Sequence, residues 1–172
     1  MPFKYYGGVH PDYAKTASKT PVRTISPPPV VVLPMIQQIG APNKPVVKVG
    51  DTVKMGQLIG SNDAPVSAPV HSSVSGKVIA VEPRRHMLGD MVMSVVIEND
   101  FQDTPCEDMK PLTEEQLRDP DAIVARIREA GVVGMGGAMF PTAFKIQGAR
   151  GKVDTVIING AECEPYLCGD HR

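Results

Sequence analysis

The stretch that decides the fold is GVVGMGGAMFPTAFK, residues 131–145. Four glycines lie within its first seven residues, which excludes a helix interior or a regular strand, because each glycine costs about 0.5–1 kcal/mol there. Pro141 and Thr142 are typical of the first turn of a helix. A glycine loop that opens a helix directs free N–H groups and the positive end of the helix dipole at one point. The stretch therefore predicts an anion site, with phosphate as the commonest occupant and Lys145 as an added positive charge.

The spacing of these glycines leaves an alternative open. It matches neither the Gly-x-Gly-x-x-Gly dinucleotide fingerprint nor a P-loop, which needs Gly-Lys-Ser/Thr after four residues. A glycine-rich connection that lets two helices pack closely would have the same composition. From the residues alone, a phosphate site and a helix connection fit equally well.

Helix and strand signals flank the glycine loop. Asp119 predicts a helix N-cap, and Gly131 ends that helix. The apolar run 152–159 is typical of a buried parallel strand. Glu162 and Glu164 follow it, at the edge where open α/β sheets bind ligands. In an extended segment both carboxylates point to the same side and suit ribose hydroxyls; a solvated acidic turn is the alternative.

Short strands dominate the chain before residue 100. Seventeen prolines and sixteen glycines predict many turns. Apolar and β-branched runs predict strands at residues 30–33, 44–49, 57–59, 66–70, 76–81 and 91–97. The basic segment 83–86 is interpreted as a solvated loop.

This series of strands resembles the flattened barrel-sandwich of biotinyl and lipoyl carrier domains. The resemblance is carried by GDTVKMGQ at residues 50–57 and by Ala68-Pro69 ahead of SGKV at residues 75–78. A carrier domain needs a lysine at a hairpin tip, and the corresponding segment 69–73 has none. We therefore predict a carrier fold without a carrier function, in which His71 is an exposed turn residue or a contact for a partner.

Two further motifs resemble a family of flavoproteins. GMGGA at residues 134–138, with FPT at 140–142 and Lys145, resembles the flavin loop of the FMN- and NADH-binding subunit of respiratory complex I. INGAECEP at residues 158–165 resembles its second nucleotide motif. GGVHP at 7–11, QIGAP at 38–42 and ECEPYL at 162–167 occur in the same order in C subunits of the Rnf electron-transport complex. This second resemblance covers nearly the whole chain.

The resemblance implies a mixed β and α/β fold. An extended segment, residues 1–40, would pack on a barrel-sandwich hybrid module, residues 41–105. Residues 111–172 would form the first part of an α/β domain that binds FMN and NAD(H). The cofactor-binding residues it implies are Gly134, Gly136, Gly137 and Lys145 for the FMN phosphate end, and Asn159, Glu162 and Glu164 for the flavin or nucleotide.

The function implied is electron transfer between NADH and ferredoxin through FMN and iron–sulfur clusters, in a membrane-bound, ion-translocating complex. The partners would be ferredoxin and the other Rnf subunits, and the location the cytoplasmic side of the bacterial cell membrane, peripherally. We expect the chain to be an N-terminal fragment that holds part of a redox site and is inactive alone. The 4Fe-4S clusters would lie only in a missing C-terminal part. No catalytic residue is assigned, since hydride transfer to a flavin needs no protein base.

Two other functions stay open. A flavin-dependent corrinoid reductase of the same superfamily shares both motifs, but there no barrel module precedes the flavin motif. A non-catalytic assembly module is the second alternative. The balance of 18 basic and 19 acidic side chains gives no reason to propose nucleic acid. The three cysteines, Cys106, Cys163 and Cys168, lack the Cys-x-x-Cys-x-x-Cys spacing of ferredoxins, so no metal site is predicted.

Overall fold

The computed structural model of the protein describes residues 12, 14–135, 137–158, 160, 162 and 164–169. The chain divides into two compact units. The larger unit is formed by residues 27–153, and the smaller by residues 1–26 together with 154–172. The domain bounds expected from the sequence remain a prediction.

A four-stranded antiparallel sheet in the order β1-β7-β6-β3 forms one layer of the larger unit. Its strands are β1 (Val30–Pro34), β3 (Thr52–Val53), β6 (Gly76–Arg85) and β7 (Met91–Asn99). β6 and β7 form a long hairpin, and β1 pairs along β7. Valine and isoleucine are abundant in β1 and β7, because branched side chains pack well on a pleated surface. The predicted strands at 30–33, 76–81 and 91–97 are confirmed.

A second, three-stranded sheet has the order β2-β4-β5. It is formed by β2 (Lys44–Pro45), β4 (Leu58–Ser61) and β5 (Val70–His71). One apolar core joins the two sheets, because it contains Ile59 and Val70 of this sheet together with Val78 and Ile97 of the first. Both isoleucines are fully buried.

Two predicted strands are much shorter in the structure than the sequence suggested. The strand predicted at 44–49 is reduced to Lys44–Pro45, and the strand predicted at 66–70 to Val70–His71. Prolines interrupt both segments, and a proline has no N–H to donate to a ladder. The prediction that His71 is an exposed turn residue is also wrong, because it pairs with Leu58 in β5 and is only half-exposed.

The interpretation of residues 83–86 as a solvated loop is wrong for residues 83–85, which are exposed as expected but lie in a strand. β6 continues through Pro83 to Arg85, and Pro83 lies opposite Met93 of β7. β3 pairs with β6 only at Gly76 and Lys77. At Pro83, β6 therefore has β7 as its one neighbour among the described strands, and a proline is tolerated at such an edge.

Two α-helices follow the barrel. α1 (Pro120–Glu129) begins as predicted, because the Asp119 side chain accepts a hydrogen bond from the N–H of Asp121 at 2.9 Å. It ends as predicted before Gly131, which has φ +67°. α2 (Thr142–Ala149) starts one residue after Pro141, which is its N-cap. Arg150 after α2 binds the Asp121 carboxylate with both terminal guanidinium nitrogens.

The buried parallel strand predicted at 152–159 is not present in its described part. Residues 152–158 form no strand, and Val156, Ile157 and Ile158 are 79–86% exposed. Asn159 lies outside the described residues. A parallel strand needs a neighbour to satisfy its backbone groups, and in the described part of the chain no strand pairs with this run.

Candidate functional site

The glycine loop between α1 and α2 is a closed turn, fixed by its own backbone. Val133 and Pro141 form an antiparallel bridge. The N–H of Gly134 donates to the carbonyl of Phe140 at 3.0 Å, and the N–H of Thr142 donates to the carbonyl of Val132 at 3.0 Å. The N–H of Gly134 is thus already used within the loop and is not free for an anion.

The first turn of α2 offers the donors that remain. No side chain among the described residues caps this end of the helix. The N–H groups of Thr142 and Lys145 donate to backbone carbonyls, while in the described part of the chain those of Ala143 and Phe144 have no acceptor. Phe144 packs edge-to-face on Phe140 of the loop, with ring centroids 5.8 Å apart. The glycine loop therefore leads into a helix, as the sequence predicted, and the start of this helix has no side-chain cap among the described residues.

The glycine turn before this helix borders open space at Gly137. Gly137 has φ +58°, and a Cβ built on it would meet no atom within 4 Å. Lys145 is exposed on the first turn of α2. Two N–H groups without an acceptor among the described residues, an open glycine turn and an ammonium group are the kinds of groups that bind a phosphate. The residues present fit the phosphate end of FMN. Gly136 lies outside the described residues.

Contacts within the larger unit join the glycine loop to the barrel. The N–H of Ile39 donates to the carbonyl of Ala138 at 3.2 Å. A Cβ at Gly131 would lie 2.5 Å from the carbonyl oxygen of Pro69, so this approach needs glycine. His71 lies beside the same contact, and its partial burial lowers the pKa of the imidazole below its ordinary value. The barrel thus supports the loop from which α2 begins.

The acidic segment lies in the smaller unit. The Glu162 carboxylate is 10% exposed and accepts a hydrogen bond from the Lys15 ammonium, with Nζ and Oε2 2.6 Å apart. Glu164 is exposed, and its backbone carbonyl accepts from the same ammonium at 3.3 Å. The expectation that both carboxylates face a nucleotide remains a prediction, and Asn159 lies outside the described residues.

Sequence reasoning missed Lys15. Residues 1–25 carry no sustained periodicity, and Lys15 is 147 residues from its carboxylate partner. No local pattern predicts a contact at that separation. An acidic pair at the other end of the chain was the only available signal, and it does not specify which basic residue is its partner.

Two features of the described residues bear on other kinds of site. Cys106 and Cys168 are free, half-buried thiols, whereas Cys163 lies outside the described residues. No helix in the described part of the chain has the length and hydropathy to cross a membrane.

The sequence matches two domain families. Residues 3–102 match the RnfC barrel sandwich hybrid domain, and residues 127–172 match the Nuo51 FMN-binding domain. The first match alone covers more than half of the chain. Together the matches confirm the predicted fold class, a barrel-sandwich hybrid followed by the start of an FMN-binding α/β domain.

Curated relatives match almost the entire chain. The C subunit of the Na(+)-translocating ferredoxin:NAD(+) oxidoreductase complex of Acetobacterium woodii is 51% identical over 98% of this chain. The C subunit of the proton-translocating complex of Clostridium ljungdahlii is 44% identical over 98%, and that of the ion-translocating oxidoreductase complex of Klebsiella pneumoniae is 42% identical over 98%. The chain spans 38%, 37% and 22% of the lengths of these relatives.

Proposed function

The chain belongs to the family of C subunits of the Rnf electron-transport complex, and from this premise we propose that it carries the barrel module and the first part of the FMN site of a ferredoxin:NAD+ oxidoreductase. The observation that carries the proposal is the uncapped start of α2 behind an open glycine loop. It lies within the segment that matches an FMN-binding domain. A phosphate-containing flavin is the ligand that both observations favour.

The phosphate end of FMN would be held by the glycine loop and the first turn of α2. Gly134, Gly136 and Gly137 keep side chains out of the approach, and Lys145 contributes charge. The N–H groups of Ala143 and Phe144 are additional donors. Because Gly134 donates its own N–H to Phe140, its part is to close the turn. Hydrogen bonds from these groups to an anion contribute about 1.5–3 kcal/mol each.

The protein's part in the chemistry is binding and orientation. When bound, FMN would supply hydride-transfer and one-electron chemistry. Asn159, Glu162 and Glu164 are proposed as contacts for the flavin or the nicotinamide nucleotide. Carboxylates accept paired hydrogen bonds from ribose hydroxyls, which orients a nicotinamide nucleotide without any proton transfer. No acid or base from this chain is required.

The partners proposed are NADH, ferredoxin and the other subunits of an ion-translocating complex. The names of the relatives support this choice, since they specify ferredoxin:NAD(+) oxidoreductase complexes that translocate sodium ions or protons. We place the protein peripherally, at the cytoplasmic side of the membrane. The 4Fe-4S clusters that exchange electrons with the flavin are proposed to lie outside this chain.

A chimeric protein tests the proposed function. Residues 1–172 of this chain would replace the matched segment of the Acetobacterium woodii relative, and NAD+ reduction by reduced ferredoxin would be measured in the purified complex. We expect the chimera to be active. In the Gly137→Val chimera, the rate of NAD+ reduction should fall about tenfold or more, because a side chain at this position disturbs hydrogen bonds to the flavin phosphate, a charged group.

Gly151→Val is the matched control. Gly151 also has positive φ, +70°, with no atom within 4 Å of an added Cβ, but it follows α2 and lies outside the loop. A chimera that assembles with all of its partner proteins and its flavin yet transfers no electrons would contradict the proposal. That result would instead favour an assembly module.

A further inference from the structure

One lysine near the start of the chain binds the acidic segment near its end. The ammonium of Lys15 donates to the Glu162 carboxylate at 2.6 Å, to the backbone carbonyl of Glu164 at 3.3 Å, and to the backbone carbonyl of Leu167. A lysine ammonium has three N–H donors. These three acceptors belong to one short segment, residues 162–167, so the lysine binds that segment as a unit.

The burial of these groups makes the contact a structural constraint. The side chains of Lys15 and Glu162 are 28% and 10% exposed. An exposed ion pair contributes little, but a carboxylate withdrawn from water is costly unless it is paired. Loss of the ammonium would leave the Glu162 carboxylate without this partner and would remove a donor from two carbonyls. The segment would then be held less tightly.

The two carboxylates of the segment differ in their surroundings. Glu162 is turned toward Lys15, whereas Glu164 is exposed although its carbonyl is bound. The segment turns immediately after Glu164, where the N–H of Leu167 donates to the Glu164 carbonyl at 3.2 Å. The ammonium therefore binds both ends of this turn, Glu164 and Leu167, through their carbonyls.

We propose that Lys15 is a positioning residue of the nucleotide site: its ammonium holds Glu162, Glu164 and Leu167 in the arrangement that presents the Glu164 carboxylate to a nicotinamide nucleotide. Glu162 does not contact the nucleotide in this proposal. Its carboxylate is the anchor by which Lys15 holds the segment. The nucleotide part of this inference rests on the proposed function. The segment that precedes the barrel thereby becomes part of the nucleotide site, although it lies far away in sequence.

Kinetics of the chimeric complex test the positioning role. Lys15→Met keeps a linear apolar stem but removes the charge and donors, and Lys15→Arg restores both. We expect Lys15→Met to raise the KM for NAD+ about tenfold, the effect of losing a hydrogen bond to a charged group, with a smaller change in kcat. Lys15→Arg should recover most of the affinity. Lys19→Met, in the same N-terminal segment, is the control and should leave KM unchanged.

The thiol of Cys168 provides a second readout that needs no nucleotide. Cys168 follows Leu167 directly and is half-buried. Its alkylation by iodoacetamide in the 172-residue chain would be followed by fragment-ion mass spectrometry, with Cys106 as the internal reference. We expect Lys15→Met to accelerate alkylation of Cys168 several-fold relative to Cys106, and Lys19→Met to have no effect.

The two readouts separate the possible failures. Unchanged alkylation of Cys168 in Lys15→Met overturns the inference, because the segment is then not held by Lys15. Faster alkylation with an unchanged KM overturns the positioning role and leaves a purely structural contact. If the chimera with Lys15 intact does not reduce NAD+ at all, the proposed function fails and the nucleotide role fails with it, while Cys168 still decides whether Lys15 holds the segment.

Discussion

At the scale of single residues, the contact between Gly131 and the barrel explains how the flavin loop is supported. Gly131 closes α1 with positive φ and approaches the carbonyl of Pro69 more closely than any side chain permits. His71 lies next to this contact, where burial lowers its pKa. The sequence predicted the glycine but placed the histidine in solvent, since a strand of two residues is too short to recognise from alternation.

The lowered pKa of His71 predicts a dependence of stability on pH. The unfolded chain binds a proton near the ordinary histidine pKa of about 6.5, whereas the folded protein binds it only at lower pH. The neutral imidazole of His71 therefore contributes fully to the free energy of unfolding above about pH 6.5. This contribution is lost as the pH falls through the pKa that His71 has in the folded protein. We expect the free energy of unfolding, from urea titrations, to decrease in that window.

His71→Gln should flatten this dependence, because glutamine keeps a polar side chain and does not titrate. His86→Gln, in the turn after β6, controls for the loss of a histidine elsewhere. An equal slope in the native chain and in His71→Gln would show that burial of His71 does not contribute.

For the two glutamates of residues 162–167, local sequence patterns did not predict the individual contacts. The sequence indicated two carboxylates two residues apart and assigned them one role. The structure separates them, because Lys15 binds the side chain of Glu162 and only the backbone of Glu164. Lys15 and Glu162 are 147 residues apart. Composition and periodicity do not predict a tertiary contact at that separation.

At the scale of elements, the β6–β7 hairpin and β1 are the part of the fold that the sequence predicted best. Their apolar runs are long enough for alternation to be seen, and turns flank them. The ends of the strands were predicted less well. The sequence predicts a loop from Pro83, but β6 continues through this residue, where it pairs with β7 and with no second strand among those described. Local propensity identifies proline as a residue that breaks strands. It does not show whether a neighbouring strand would need the N–H that proline lacks.

The core of this sheet gives a prediction about stability. Ile97 of β7 is fully buried, in register with Val31 and Val78. Ile97→Ala should lower the free energy of unfolding by about 2–5 kcal/mol, the cost of lost burial plus a cavity. Ile79→Ala is the matched control in β6, where the side chain is 43% exposed, and should cost about 1 kcal/mol or less. Equal losses in urea denaturation would contradict the assignment of the core.

Residues 152–158 differ from these strands, because the strand predicted there is absent. Its β-branched residues have strand propensity, yet they form no strand and are exposed. Strand propensity describes side chains that fit a half-buried pleated surface, and in the described chain no such surface is paired with this run. The prediction failed because it assumed neighbours that the pattern itself cannot supply.

At the scale of the whole molecule, the family assignment and the fold class were predictable because two motifs and a barrel occur in one order along the chain. The individual cofactor-binding residues were not settled in the same way. The proposed FMN phosphate site depends on a loop of a few residues in the larger unit, and the proposed nucleotide contacts depend on a segment in the smaller unit. Each of them therefore needs its own test.

The most direct test of the flavin site is a titration of the 172-residue chain with FMN, followed by quenching of flavin fluorescence. We predict saturable binding that is about tenfold weaker or more in Gly137→Val, since the added side chain would disturb hydrogen bonds to a charged phosphate. Binding should be retained in Gly151→Val, which carries similar backbone strain outside the loop. Absence of binding by the native chain, or equal affinities of the two variants, would contradict the claim that the glycine loop and the start of α2 hold the flavin phosphate.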